Sequence, residues 1–344
     1  MIAETFNFSP YDCHLHIMKS MEQKLRYRGG DVSEWQASLK PKVRELLGWE
    51  PEERVDLNVR SLWTQEHELG TIEKIVFTSE PYADVPAYMC IPKGVQPPYT
   101  TFICVQGHSS GMHNSIGVDI DDETKSIEIA GDRDIAIWCM KNGVAALAIE
   151  QRALGYREEH TLEKQMGGKR CWDATMHALI IGRTLIGERV YDIDRGIDYL
   201  LSRGDVNPYR IGVTGNSGGG TTSLFSAAML DRLSLAMPSC YFCTFRDSIM
   251  AIGHCMDNYI PNLYQYAEMG DVMGLFAPKP VVIVAGQHDP IFPVGAVKSE
   301  FAHLKKIYAA AGAEDKCHLV IGDEGHRFYG EPAWAVMSQI LAAL

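Results

Sequence analysis

The sequence predicts an α/β protein: a mostly parallel central sheet flanked by helices, preceded by a helical extension and antiparallel lead-in strands. Three observations carry this. From residue 100 onward, short apolar, β-prone runs alternate with helix-length periodic segments, which is the pattern of βαβ units. Before residue 50 the apolar spacing is helical, and between 55 and 92 it alternates with β-branched residues. No internal repeat, low-complexity tract or Ser/Pro linker divides the chain, which reads as a helical extension over 1–50 and one compact unit over 51–344.

The elements follow in order. Helical spacing covers 11–28 and 33–47, the second closed by Gly48 and capped by Asp31 or Ser33. The lead-in strands are expected over 55–60, 72–78 and 87–92, with turn signals at Pro81 and at Pro92-Lys93-Gly94. The parallel strands are expected over 101–105, 144–149, 211–214, 235–238, 281–285 and 317–321. Helices are expected over 132–142, 186–203, 221–230, 295–311 and 332–344. Right-handed crossovers would bring the strand C-termini to one edge, where ligand sites form in open α/β sheets.

Composition narrows the class of partner. The 344 residues are 46% hydrophobic and 22% charged, ordinary for a globular protein, and the net charge of −12 argues against nucleic acid or an anionic membrane as partner. No run approaches the roughly 18 apolar residues of a membrane helix, and residues 1–10 lack the basic and apolar regions of a secretory signal. The nine cysteines are scattered, an odd count that suits reduced thiols in a cytoplasm. Cys240 and Cys243 form a C-x-x-C that reads as core or pocket wall. A cytoplasmic protein acting on a small molecule is expected, with homo-oligomerisation left open.

Chemistry is concentrated at the strand ends. Ser217 lies in Gly215-Asn216-Ser217-Gly218-Gly219, directly after an apolar strand and before a helix. That context is a nucleophile elbow, in which small residues flank the serine because strand and helix backbones approach closely. A serine hydroxyl needs a base, and the base an orienting carboxylate. Asp289 follows the strand 281–285, and His326 follows the last strand in a glycine-flanked loop. The order Ser217, Asp289, His326 suits a catalytic triad, with Asp257 as the rival acid. The backbone N–H groups of Gly218 and His108, the latter in the loop after 101–105, are the expected oxyanion donors.

These residues resemble the α/β-hydrolase superfamily. The Gln106-Gly107-His108-Ser109 loop, the serine motif, Ala277-Pro278-Lys279-Pro280, His288-Asp289-Pro290-Ile291-Phe292-Pro293 and Gly325-His326 carry the likeness. The segment from His254 to Pro261 and Trp35-Gln36 point more narrowly to its acetyl-xylan-esterase-like and dienelactone-hydrolase-like bacterial branch. The resemblance implies an α/β-hydrolase fold and a serine-dependent carboxylic-ester hydrolase, often a deacetylase of sugars or other small acetyl esters. Glucuronoyl esterases, distant cousins, carry an arginine just after the serine, where this chain has Gly218.

Substrate-pocket candidates are Ser109, Arg152, Tyr241, His254 and Tyr259, all after strand ends. The acidic insert 109–133 reads either as a solvated loop or as a lid. No phosphate loop, metal cluster or flavin fingerprint is present, so neither cofactor nor metal is expected. An amidase or peptidase on the same triad and a non-catalytic binding protein of the same fold are the competing readings.

Overall fold

The computed structural model describes residues 6–48, 54–108, 111–159 and 171–344. In chain order the helices are α1 (Pro10–Ser20), α2 (Val32–Leu47), α3 (Ile135–Lys141), α4 (Cys171–Ile180), α5 (Leu185–Arg203), α6 (Gly218–Met229), α7 (Met269–Gly274), α8 (Val294–Ala310) and α9 (Gly330–Ala342). The strands are β1 (Arg60–His67), β2 (Gly70–Glu80), β3 (Ala83–Pro92), β4 (Tyr99–Val105), β5 (Ala145–Ile149), β6 (Val206–Asn216), β7 (Leu235–Ser239), β8 (Val281–Gly286) and β9 (Cys317–Gly322). They form one nine-stranded sheet in the order β1-β2-β3-β5-β4-β6-β7-β8-β9. The pairs β1–β2, β2–β3 and β3–β5 are antiparallel and every later pair is parallel.

The parallel strands read as unbroken apolar runs because both of their faces are covered. Alternate residues enter separate cores: Ile103, Val105, Leu147, Val213 and Ile283 pack with α2, α5, α6 and α8. Phe102, Cys104, Ala146, Ala148 and Val282 pack with α3 and α9 on the other face. The strand C-termini share one edge, so the loops after β4, β6, β7, β8 and β9 converge above the sheet.

Three departures from the sequence reading have local causes. Helix α1 stops at Ser20 rather than continuing to Arg28, because tertiary partners capture the backbone beyond it. The N–H groups of Lys24 and Leu25 donate to the carbonyls of Gln265 and Tyr266, and that of Tyr27 to Asp271 (2.9 Å). The first strand begins at Arg60, where the reading of 55–60 ended, and its exposed pattern carries little apolar signal. Finally, Cys171 and Cys255 are joined by a disulfide across 84 residues, whereas the sequence pointed to reduced thiols; the other seven cysteines are free. For α2 the capping choice falls to Asp31, which accepts from the Glu34 N–H (2.9 Å).

The docked 21–31 segment is held by a buried ionic cluster. Arg26 pairs with Glu300 (3.1 Å) and Asp271 (3.3 Å), and His303 hydrogen-bonds to Asp271 (2.7 Å). Beside them, Glu268 accepts from the N–H groups of Phe245 and Met269. Burial and then the nearby Glu300 push the Glu268 carboxyl up to about 8. Its native pKa thus lies above its unfolded value, so between about pH 4.5 and 8 the native state holds more proton than the unfolded chain, and this group's stability contribution falls as pH rises. Glu268→Gln keeps an oxygen for both N–H donors but cannot ionise. Its thermal midpoint at pH 8.5 is expected to exceed wild type by about 2–4 °C, with near-equality at pH 5. Equal midpoints at both pH values would refute this account.

Candidate active site

The serine comes first because its backbone is unusual. Ser217 has φ +59° and ψ −121°, a conformation a non-glycine residue adopts only under constraint. The constraint is the turn from β6 into α6: the Ser217 N–H donates to the Ser239 carbonyl (2.9 Å), and the Ser217 carbonyl accepts from the Thr221 N–H (2.9 Å). The flanking glycines are obligatory for space. A Cβ on Gly219 would overlap the Val105 carbonyl oxygen, and one on Gly215 would lie 2.7 Å from the Gly219 backbone. A Cβ on Gly107 would sit 3.0 Å from Ser217 Cβ and 3.5 Å from the Gly218 nitrogen, so the loop after β4 lies directly beside the serine.

The other two members of the predicted set meet each other. His326 Nδ1 hydrogen-bonds to Asp289 Oδ2 at 2.7 Å. Asp289 Oδ1 accepts from the N–H groups of Ile291 (2.8 Å) and Phe292 (3.2 Å), so the same residue closes its own turn. Burial opposes ionisation of Asp289, yet the His326 hydrogen bond, its charge and the two N–H donors outweigh that and hold the pKa below the usual value. An ionised carboxylate only accepts, so the proton of a neutral His326 resides on Nδ1 and Nε2 keeps its lone pair. That Nε2 is buried and has no hydrogen-bond partner among the described residues. Cys240, buried and free, has its sulfur close to Asp289 and His326, and Cys243 is buried in the core.

A second histidine–carboxylate pair holds the loop after β4. His108 Nε2 donates to Asp257 Oδ2 (2.8 Å), which also accepts from the buried Arg189 guanidinium, while Asn258 Nδ2 donates to Asp257 Oδ1 (2.8 Å). Burial works against the Asp257 charge, but His108 and Arg189 prevail and its pKa falls well below the usual carboxylate range. Asp257, the rival acid of the sequence reading, is thereby committed to His108 and Arg189. The donor atoms of His108, Asp257, Cys171 and Cys255 converge within 4.8 Å of one another. With the two sulfurs joined and Asp257 ion-paired to Arg189, that set is engaged within the protein. The His108 ring also roofs Gly218, where an added Cβ would come within 2.7 Å of it.

The structure places Ser217, Gly218 and His108 side by side, and Asp289 hydrogen-bonded to His326, on loops at the same sheet edge. His254 joins them, its ring centroid 5.7 Å from that of Phe292, which in turn stacks on His326 at 5.9 Å. Arg152 does not join. Its guanidinium is turned away to Asp192 (2.9 Å) and Glu80 (2.6 Å), and only its carbonyl reaches the site's support, accepting from Arg189 (2.8 Å). Tyr241 is fully buried in the core beside Phe292, and the Tyr259 hydroxyl donates to the Ile249 carbonyl (3.1 Å). Ser109 lies outside the described residues. The described part of the acidic insert is pinned to the lead-in strands and to the loop after β5: Glu123 accepts from Trp63 (3.0 Å) and Tyr88 (2.7 Å) and pairs with Lys74 on the strands, and accepts from Tyr156 (3.0 Å) in the loop.

Sequence reading missed the supports beneath the loop after β4. The Gln106 side chain donates to Ser115 Oγ (2.6 Å) and to the Arg133 carbonyl (2.7 Å), and Gln151 donates to the Gln106 carbonyl while accepting from Thr222. Glu150 accepts from the N–H groups of Met112 (2.9 Å) and Tyr156 (3.2 Å). The available signal was polar residues at the mouth of buried strands, where an unpaired amide is costly.

A mostly parallel sheet with a strained serine after β6 and an Asp–His pair after β8 and β9 defines an α/β-hydrolase. The model of the Abhydrolase family matches residues 14–319, and the chain belongs to that family. It is 26% identical over 293 residues to the Bacillus subtilis (strain 168) protein named "Putative hydrolase YtaP", covering 84% of this chain and 93% of that one. In fold it is similar to a Bacteroides fragilis NCTC 9343 protein described as a "putative acetyl xylan esterase" (TM-score 0.76, 16% identity, 94% of this chain and 84% of the other). It is also similar to the glucuronoyl esterase from Solibacter usitatus (TM-score 0.68, 12% identity, 94% and 97%).

Proposed function

We propose that this chain is a serine-dependent carboxylic-ester hydrolase that works through an acyl-enzyme on small acyl esters, acetyl esters of carbohydrates among them. One observation carries the reading: a strained serine shares the sheet edge with a histidine whose Nδ1 is held by Asp289 and whose Nε2 is unpartnered among the described residues. In this mechanism Ser217 Oγ attacks the ester carbonyl while His326 Nε2 takes its proton. The N–H groups of Gly218 and His108 receive the developing oxyanion. His326 then passes the proton to the leaving alcohol oxygen, and a water activated by the same nitrogen hydrolyses the acyl-serine.

The substrate class rests on the names of the structural relatives and on the space beside the serine. A Cβ at position 218 would lie 2.7 Å from the His108 ring, so an arginine there, as the resemblance gives glucuronoyl esterases, would have to displace a ring that Asp257 holds. An uncharged acyl group therefore suits this site better than a uronate. No helix among the described residues is long and apolar enough to cross a membrane. Six buried free thiols support a cytoplasmic location, with the Cys171–Cys255 link as the exception.

The test is p-nitrophenol release from esters of two to eight acyl carbons, together with fluorophosphonate labelling of the protein. Fastest turnover on the shortest esters and a label on Ser217 are expected. No turnover above a Ser217→Ala background, with no label, would reject the reading.

A further inference from the structure

His254 has one nitrogen fully engaged and one without a hydrogen-bond partner among the described residues. Its Nδ1 lies 3.0 Å from the Cys255 backbone nitrogen and 3.0 Å from Asn258 Nδ2. The backbone N–H can only donate, so Nδ1 must be the accepting nitrogen, and in the neutral ring the proton resides on Nε2. Burial, more than the opposing charge of Asp257, pushes the His254 pKa down to about 4, which keeps the ring neutral near pH 7. Its Nε2 is buried and has no partner among the described residues. A buried N–H without an acceptor is costly and rare, and its presence asks for an explanation.

Its surroundings place that ring one aromatic neighbour away from His326. The ring packs on Phe292, the same ring that stacks on His326. It is within electrostatic reach of both His108 and His326. Its backbone is fastened on two sides: Cys255 is disulfide-linked to Cys171, and Asn258 accepts from Thr221 Oγ1 (2.9 Å) in the first turn after Ser217. The donor is therefore held in place before substrate arrives. His326 must hand its proton to the leaving oxygen, so the side of the site shared by His326 and His254 is the side of the alcohol group.

Resting on the ester-hydrolase reading above, we infer that His254 is a specificity-determining residue whose Nε2–H donates to an oxygen on the alcohol portion of the ester, a hydroxyl or ether oxygen on the carbon next to the acylated one. Esters of polyols and sugars carry such an acceptor and simple aryl esters do not. A site built to satisfy a buried donor discriminates strongly against a substrate that leaves it unpaired.

The measurement is the ratio of kcat/KM for a mono-O-acetyl methyl xyloside to that for phenyl acetate, in wild type, His254→Phe and His254→Gln. The ratio is expected to fall about tenfold or more in His254→Phe and to recover in part in His254→Gln, whose amide N–H can substitute for Nε2–H. A merely structural role would lower both substrates together and leave the ratio unmoved. An unchanged ratio in His254→Phe, with Ser217 still labelled by fluorophosphonate, overturns the assignment. Wild type alone supplies a second test that no folding defect can obscure. Replacing the neighbouring hydroxyl by hydrogen should cost about tenfold in kcat/KM, whereas methylating it, which keeps the acceptor, should cost much less. Equal losses for both analogues overturn the donor role. If wild type neither labels nor turns over phenyl acetate, it is the ester-hydrolase reading that fails, and this assignment with it.

Discussion

Ser217→Ala is expected to lower kcat on short-chain esters by roughly 10⁵–10⁶-fold while leaving the thermal midpoint close to wild type, since triad members act as a unit and loss of the nucleophile removes the covalent route. The fold should survive because the serine side chain contributes little packing at the turn; the turn itself is held by the Ser239 carbonyl and the glycines around it. Relief of backbone strain does not come with this change, because alanine also has a Cβ and still has to adopt a φ near +59°. Steady-state kinetics beside a thermal melt decide the matter. Residual activity within a hundredfold of wild type would mean that another group performs the attack.

The second large effect separates the two carboxylates. Asp289→Asn should lower kcat by about 10⁴-fold with little change in stability, because an amide facing Nδ1 can favour the wrong tautomer and leaves the imidazolium without its countercharge. Asp257→Asn should act differently. It withdraws the negative charge from buried Arg189 and from His108, so its main cost is in folding, roughly 3 kcal/mol, as expected when a buried ion pair is broken. Catalysis should then suffer through the loop that carries the His108 N–H. The contrast is read from kcat and unfolding free energy measured on both variants. A kcat loss larger in Asp257→Asn than in Asp289→Asn would move the acid role to Asp257 and break the mechanism proposed above.

Much of the site was legible because its constraints are local. The six parallel strands announce themselves as apolar runs, since a strand covered on both faces can carry few polar residues. The glycines around Ser217 are spacing requirements visible in five consecutive letters. Asp289 and His326 were identifiable by their place after strand ends, and their 2.7 Å hydrogen bond joins two loops adjacent at the sheet edge. Arg152 misled because it also follows a strand end, yet a buried guanidinium needs carboxylates and goes where they are, to Asp192 and Glu80. Glu123 misled in the opposite sense: one residue of an acidic run is a four-partner anchor, and nothing in a run of like charges distinguishes it.

The chain by itself determined the parallel strands, most of the helices and the places of Ser217, Asp289 and His326 after strand ends, because periodicity and turn geometry act over a few residues, whereas α4 and α7 escaped it. Only the tertiary structure decided which carboxylate serves which histidine, that residues 21–31 leave the helix to dock on Asp271 and Glu300, and that His254 packs on Phe292 with its Nε2 unpartnered among the described residues. Those outcomes depend on pairings between segments tens to hundreds of residues apart. Hydrogen bonds and ion pairs of that kind are set by burial and mutual geometry, and neither is written in local sequence.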